Sequence, residues 1–269
     1  MSSALTVLKE QINNFYLVRR LSAYEMKSAN SNNYLGILWE IINPMIQIAI
    51  YWFVFGFGIF NRKDVDGHPF LPWLMAGIVV WFFVNPATTQ ASKSIYSRLN
   101  MVSKMNFPMS VIPSYVIFAK LYQHFMLLAV IIILLVFTGY VPTFYIVQLP
   151  YYIVATVALL FSFGLITSTL STVIRDVHNM IQSLMKILFY LTPILWILDA
   201  TQHPTIVSIM KLNPLYYIVE GYRASLLGES WYFIGHWEYT LYFWAVVLVF
   251  FLIGSSLHVR FRDRFVDFK

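Results

Sequence analysis

The chain contains no cysteine, and only 11% of its 269 residues are Asp, Glu, Lys or Arg. The first absence excludes disulfides and thiolate metal sites. The second separates the chain from ordinary soluble domains, in which about 25% of residues are charged. The six histidines (68, 124, 178, 203, 236 and 258) never form a close pair, so a metal centre is not expected. No G-x-x-x-x-G-K-[ST] segment occurs, which excludes a P-loop nucleotide site on this chain. H-E-x-x-H, paired-carboxylate and Ser/His/Asp patterns are missing too. The first 35 residues carry charges throughout and no apolar block ahead of a small-residue cleavage site, so the first span is expected to serve as its own insertion signal.

What is present is apolar: 59% hydrophobic residues, 18% of the chain aromatic. That is more than one soluble core can hide, and it predicts an all-α integral membrane protein formed as a single domain over 1–269. A hydrocarbon core of about 30 Å needs about 20 helical residues. Six runs meet this: 36–60, 70–91, 112–138, 149–174, 178–198 and 238–259. The net charge of +6 is spread along the flanks of these runs rather than clustered, which speaks against a nucleic-acid partner. Alternating flanks hold thirteen Lys and Arg against four, with Lys120 inside a span. By the positive-inside rule both termini are cytoplasmic.

Ahead of the first span, within 1–35, Leu5, Leu8, Ile12, Phe15, Val18 and Leu21 recur at steps of three or four, as in an amphipathic helix lying in the interface. A helix packed on a soluble partner has the same pattern. On the outer side, the 205–228 region has two apolar pieces too short to span, broken at Asn213-Pro214, where proline removes a donor and disfavours helix at the preceding residue. Two outer re-entrant helices between spans 5 and 6 are expected; a helical hairpin resting on the surface is the alternative. Lys120, Gln123 and His124 share one face of the third span at i, i+3 and i+4. A conduit or subunit interface is one reading; snorkelling with interhelical hydrogen bonds is the other. The tryptophans and tyrosines belong mostly to interfacial belts, and a minority could stack on sugar rings along a path.

Four segments carry a resemblance. "NNYLGILWEIINPMIQ" (32–47), "KMNFPMSVIP" (104–113), "VIRDVHNMIQSLMKILFYLTPILW" (173–196) and "LNPLYYIVEGYRASLLG" (212–228) resemble, in order, the first span, coupling segment, Arg-Asp turn with the fifth span, and outer helices of ABC-2 type polysaccharide exporter membrane subunits. The likeness is strongest to the wall teichoic acid export branch of Gram-positive bacteria. It implies a plasma-membrane homodimer with two copies of a separate P-loop ATPase subunit. ATP and Mg would sit on that partner, with no cofactor on this chain, and a lipid-pyrophosphate-linked polyol-phosphate polymer would cross the bilayer.

The same resemblance makes 101–110 a coupling helix, through Met101, Lys104, Met105, Asn106, Phe107 and Pro108, with Arg175 and Asp176 as a second contact. Met and Phe would supply adaptable apolar contact and Lys104 a partner for acidic groups. Asn213, Pro214, Tyr217, Glu220 and Arg223 would form an outer gate, with Glu220 and Arg223 able to pair at i, i+3 or else lying as exposed surface charges. Two other classes stay open. A membrane-embedded glycan transferase would need converging carboxylates or histidines, and the acidic residues are scattered. An ion-coupled flippase would need a buried acidic relay and repeat halves.

Overall fold

The computed structural model describes residues 2–29, 31, 33–58, 64–65, 67–99, 108–196 and 203–268. Two amphipathic helices come first: α1 (Ser2–Asn13) and α2 (Phe15–Ala29), broken at Asn14, whose side-chain amide donates to the Glu10 carbonyl at 2.8 Å. In α1, Leu5, Leu8 and Ile12 of the apolar stripe are exposed and Val7 on the other side is buried; in α2, Val18 of the stripe is itself buried, as is Ser22. The stripe therefore points away from the rest of this chain over α1 and turns onto it over α2, where Phe15 meets the Phe118 ring edge-on and Val18 and Leu21 join a buried cluster.

The first span starts as a 3-10 turn (Gly36–Leu38), continues as α3 (Trp39–Tyr51) and ends in a π-helical stretch (Trp52–Gly58). A two-residue hairpin, Asp64–Val65 against His68–Pro69, departs from the all-α expectation; Gly67 makes its turn at φ 78°. It leads into α4 (Phe70–Lys93), the central helix, whose apolar residues run all round and are buried on nearly every side. Then come α5 (Val111–Phe137) and α6 (Leu149–Val173), both packed on α4.

The Arg175 turn connects α6 to α7 (Asp176–Leu191). This helix has 16 residues, about 24 Å at 1.5 Å per residue, and stops where Thr192 turns extended ahead of Pro193. Among the described residues, five helical segments are long and apolar enough to cross a membrane: Gly36–Gly56, Phe70–Lys93, Val111–Phe137, Phe144–Val173 and Trp237–Phe265. The run expected over 178–198 is thus a shorter helix followed by a turn, and its last two residues lie outside the described residues.

The 203–228 region breaks at Pro214. Helix α8 (Pro204–Lys211) is largely exposed, whereas α9 (Pro214–Leu227) is buried against α4, α6 and the last span α10 (Trp237–Phe261). Asn213 caps α9 by accepting from the Leu215 N–H at 3.0 Å. Gly228 ends it in the left-handed conformation (φ 78°), and a Cβ there would lie 2.7 Å from the Thr143 hydroxyl.

Candidate functional site

Within the first span, Glu40, Asn43, Gln47 and Tyr51 follow one another at steps of three, four and four, which places them on one helical face. In the fold that face meets α4, α5 and α7 across a groove. A cavity of about 290 Å³ is lined by Trp39, Glu40, Asn43 and Gln47 of the first span, Trp81, Phe82 and Asn85 of α4, and Gln123 and His124 of α5. A second, of about 220 Å³, shares Gln47, Trp81, Phe82 and Asn85 and continues to Tyr51, Lys186 and Tyr190. Pro44 and Pro86 also line the first cavity, and each lacks the N–H that would bond the carbonyl four residues earlier, Glu40 and Phe82. The groove therefore offers amides and aromatic rings with few charges. Such groups hydrogen-bond hydroxyls and stack on apolar ring faces.

His124 forms the groove's back wall. It is buried, its ring stacks on Phe83 with centroids 4.9 Å apart, and its Nε2 lies 3.0 Å from the Tyr222 hydroxyl of α9. His124, expected to belong to a path or interface, is thus joined by one hydrogen bond to α9, the helix that carries the expected outer-gate residues. Gln123 is on the same wall, while Lys120, one turn before His124, is buried and does not line the cavity.

The α9 residues form a tightly locked group. Arg223 is only 1% exposed, which corrects the alternative of a free surface charge. Its Nη1 donates to Glu220 Oε1 at 2.6 Å and its Nη2 to the Ile194 carbonyl at 3.3 Å, and the guanidinium carbon sits 3.6 Å from the centre of the Trp73 ring. A buried guanidinium costs several kcal/mol in desolvation unless paired in this way. Gly77 leaves room for it, since a Cβ there would lie 2.6 Å from Nη2. Asn213 adds a second tie by donating from Nδ2 to Thr192 Oγ1 at 2.9 Å. The turn that ends α7 is therefore held at both ends of α9. Pro214 opens α9 at its first position. Tyr217 is bonded to the hydroxyls of Tyr151 (3.0 Å) and Thr240 (2.9 Å) and stacks on Phe243.

Beside this group, Glu229 Oε1 lies 3.2 Å from His68 Nε2, and His68 Nδ1 lies 3.0 Å from the Tyr140 hydroxyl. Burial, helped by the Asp64 and Glu229 carboxylates, pushes the Tyr140 hydroxyl up from its ordinary pKa.

At the other end of the spans, Met101, Lys104, Met105, Asn106 and Phe107 lie outside the described residues. The chain on both sides of them is gripped by the N-terminal helices. Glu25 pairs with Arg98, Ser110 donates to Glu10, Gln11 Nε2 donates to the Ser110 carbonyl at 2.9 Å, and Glu10 also takes Arg262 at 2.8 Å. Pro108 is half-buried just before α5. Arg175 and Asp176 are exposed at the α6–α7 turn, with Asp176 in the first turn of α7, where a carboxylate suits the helix dipole.

Residues 16–227 match the ABC-2 type transporter family. The chain is a member of that family. Among curated relatives, this ABC-2 chain is 25% identical over 246 residues to the O-antigen export system permease protein RfbA of Myxococcus xanthus, covering 90% of this chain and 91% of that protein. It is also 25% identical over 257 residues to the protein of the same name from Klebsiella pneumoniae, covering 94% and 95%. The ABC-2 match takes in the groove, Arg223 and Gly77 alike. Sequence reasoning does not single out Trp73, Gly77, Asn43, Gln47 or Asn85. The polar steps in the otherwise apolar first span are the one available signal.

Proposed function

We propose that this chain is the membrane subunit of an ATP-driven exporter of a lipid-linked cell-surface polysaccharide. The observation that carries the reading is the groove of amides and aromatic rings running between the first span, α4, α5 and α7 in a chain of the ABC-2 family. Its similarity to the two O-antigen export permeases supports the substrate class. A wall teichoic acid polymer on a lipid pyrophosphate is the finer assignment, supported by the resemblance of 15–36 and 42–60 to the wall teichoic acid export branch. Six spans, with α7 and the turn after it as the fifth, both termini in the cytoplasm, and a homodimer complete the picture. The 101–110 segment, with Arg175 and Asp176, would receive the motion of a separate P-loop ATPase, and ATP and Mg would be bound there. The Asn213–Arg223 group would form the outer gate.

The test is co-purification of this chain with a P-loop ATPase, followed by ATP hydrolysis in nanodiscs. Hydrolysis stimulated by a lipid-linked polyol-phosphate polymer, more than by a neutral lipid-linked glycan, supports the teichoic acid assignment. The reverse order favours an O-antigen-like cargo. A chain that purifies alone and moves or modifies its substrate without an ATPase overturns the exporter reading.

A further inference from the structure

A further polar cavity lies apart from the groove, at the end of α4 remote from the His68 hairpin. It has a volume of about 530 Å³ and is lined by Glu25, Gln90, Lys93, Ser97, Arg98 and Val116. Arg98 is already oriented: it pairs with Glu25, its Nη1 donates to the Ser94 carbonyl and the Ser97 hydroxyl at 3.3 Å each, and its guanidinium lies 5.5 Å from the Tyr115 ring. Lys93, in the last turn of α4, is exposed and has no carboxylate partner among the described residues. Two cations, an amide and a hydroxyl thus face one space whose single carboxylate is already engaged by Arg98. A span end beside amphipathic α2 is at headgroup depth.

We propose that this cavity binds the phosphate-bearing headgroup of a membrane lipid. Phosphate oxygens accept several charge-assisted hydrogen bonds at once, and this is the donor set on offer: Lys93 as a mobile point charge, Arg98 as a fixed fork, Gln90 and Ser97 beside them. The volume suits a mono- or diphosphate. Glu25 competes with the anion for Arg98, so headgroup binding loosens α2 from the chain just ahead of the expected ATPase contact. The proposal rests on the exporter reading for its orientation in the membrane.

The full chain in phosphatidylcholine nanodiscs is titrated with a fluorescent polyprenyl diphosphate, with phosphatidylglycerol as competitor. Lys93→Gln, at an exposed side chain, is expected to weaken binding about tenfold, the size of one lost charge-assisted bond. Glu25→Gln is expected to tighten it, a change that structural damage does not produce. Strong competition by phosphatidylglycerol identifies a resident anionic lipid; weak competition identifies the diphosphate head of a cargo lipid; either supports the site. Equal affinities for the parent chain, Lys93→Gln and Glu25→Gln overturn it. No ATPase is needed in this measurement, so its failure leaves the exporter reading to its own test.

Discussion

The guanidinium of Arg223 lies 3.6 Å above the ring of Trp73 and occupies the space that Gly77 leaves one turn further along α4. A planar cation over an indole face gains about 0.5 to 2 kcal/mol, more when water is excluded. Here it also ties α9 to α4 and, through the Ile194 carbonyl, to the turn after α7.

Gly77→Ala is therefore expected to destabilise the chain by about 1 to 3 kcal/mol through overpacking against Arg223. Thermal unfolding in detergent would read this as a lowered midpoint. The Gly77→Ala/Arg223→Ala pair should cost less than the sum of the two single changes, because each acts on the same contact. Strict additivity would show that Gly77 is not there for Arg223.

Asn213→Ala removes both the cap on α9 and the bond to Thr192. A loss of about 1 kcal/mol is expected, seen as faster amide hydrogen exchange over Leu215–Tyr217 while α4 keeps its protection. Slower polymer export with intact ATPase association would accompany it if α9 is the gate. Unchanged exchange would mean the cap contributes nothing.

In the groove, Gln47→Leu and Asn85→Leu keep side-chain volume close and remove the amides. Export should fall about tenfold for each, as expected from losing one or two hydrogen bonds to the moving polymer. Expression, folding and ATPase co-purification should stay normal. Normal export in both variants would place the path elsewhere.

For the ATPase contact, Phe107→Asp and Lys104→Glu are expected to leave the chain folded and abolish or weaken co-purification with the ATPase. A buried carboxylate in an apolar contact is costly, and reversing Lys104 places like charges together. Full recovery of the complex in both variants would remove the assignment.

Much of the fold is legible in the amino-acid sequence. Run lengths predict the long helices, the Asn213-Pro214 pair predicts the break before α9, and the i, i+3 spacing of Glu220 and Arg223 predicts their pairing. The likeness at 32–47 and 212–228 is matched by the family assignment. Other features are not legible because they depend on distant partners or leave too faint a local signal. The 178–198 run looks like any other span, yet Pro193 ends its helix after 16 residues, a local effect that the apolar composition masks. The hairpin at Asp64–Val65 is too short to leave a periodicity. Asn43 and Gln47 read as isolated polar residues, and only the approach of Asn85 and Gln123 gives them a shared space.

The sequence by itself determined that this is a membrane protein with no P-loop motif, because apolar run length and that motif are both properties of contiguous residues. It also determined the break before α9, since Pro214 acts on its immediate neighbour Asn213. Tertiary structure alone decided that Arg223 is a buried lock rather than a surface charge. Its partners Trp73, Gly77 and Ile194 stand far from it along the chain, and no local rule brings them together. Packing of the first span against α4 and α5 likewise decided that scattered amides make one groove.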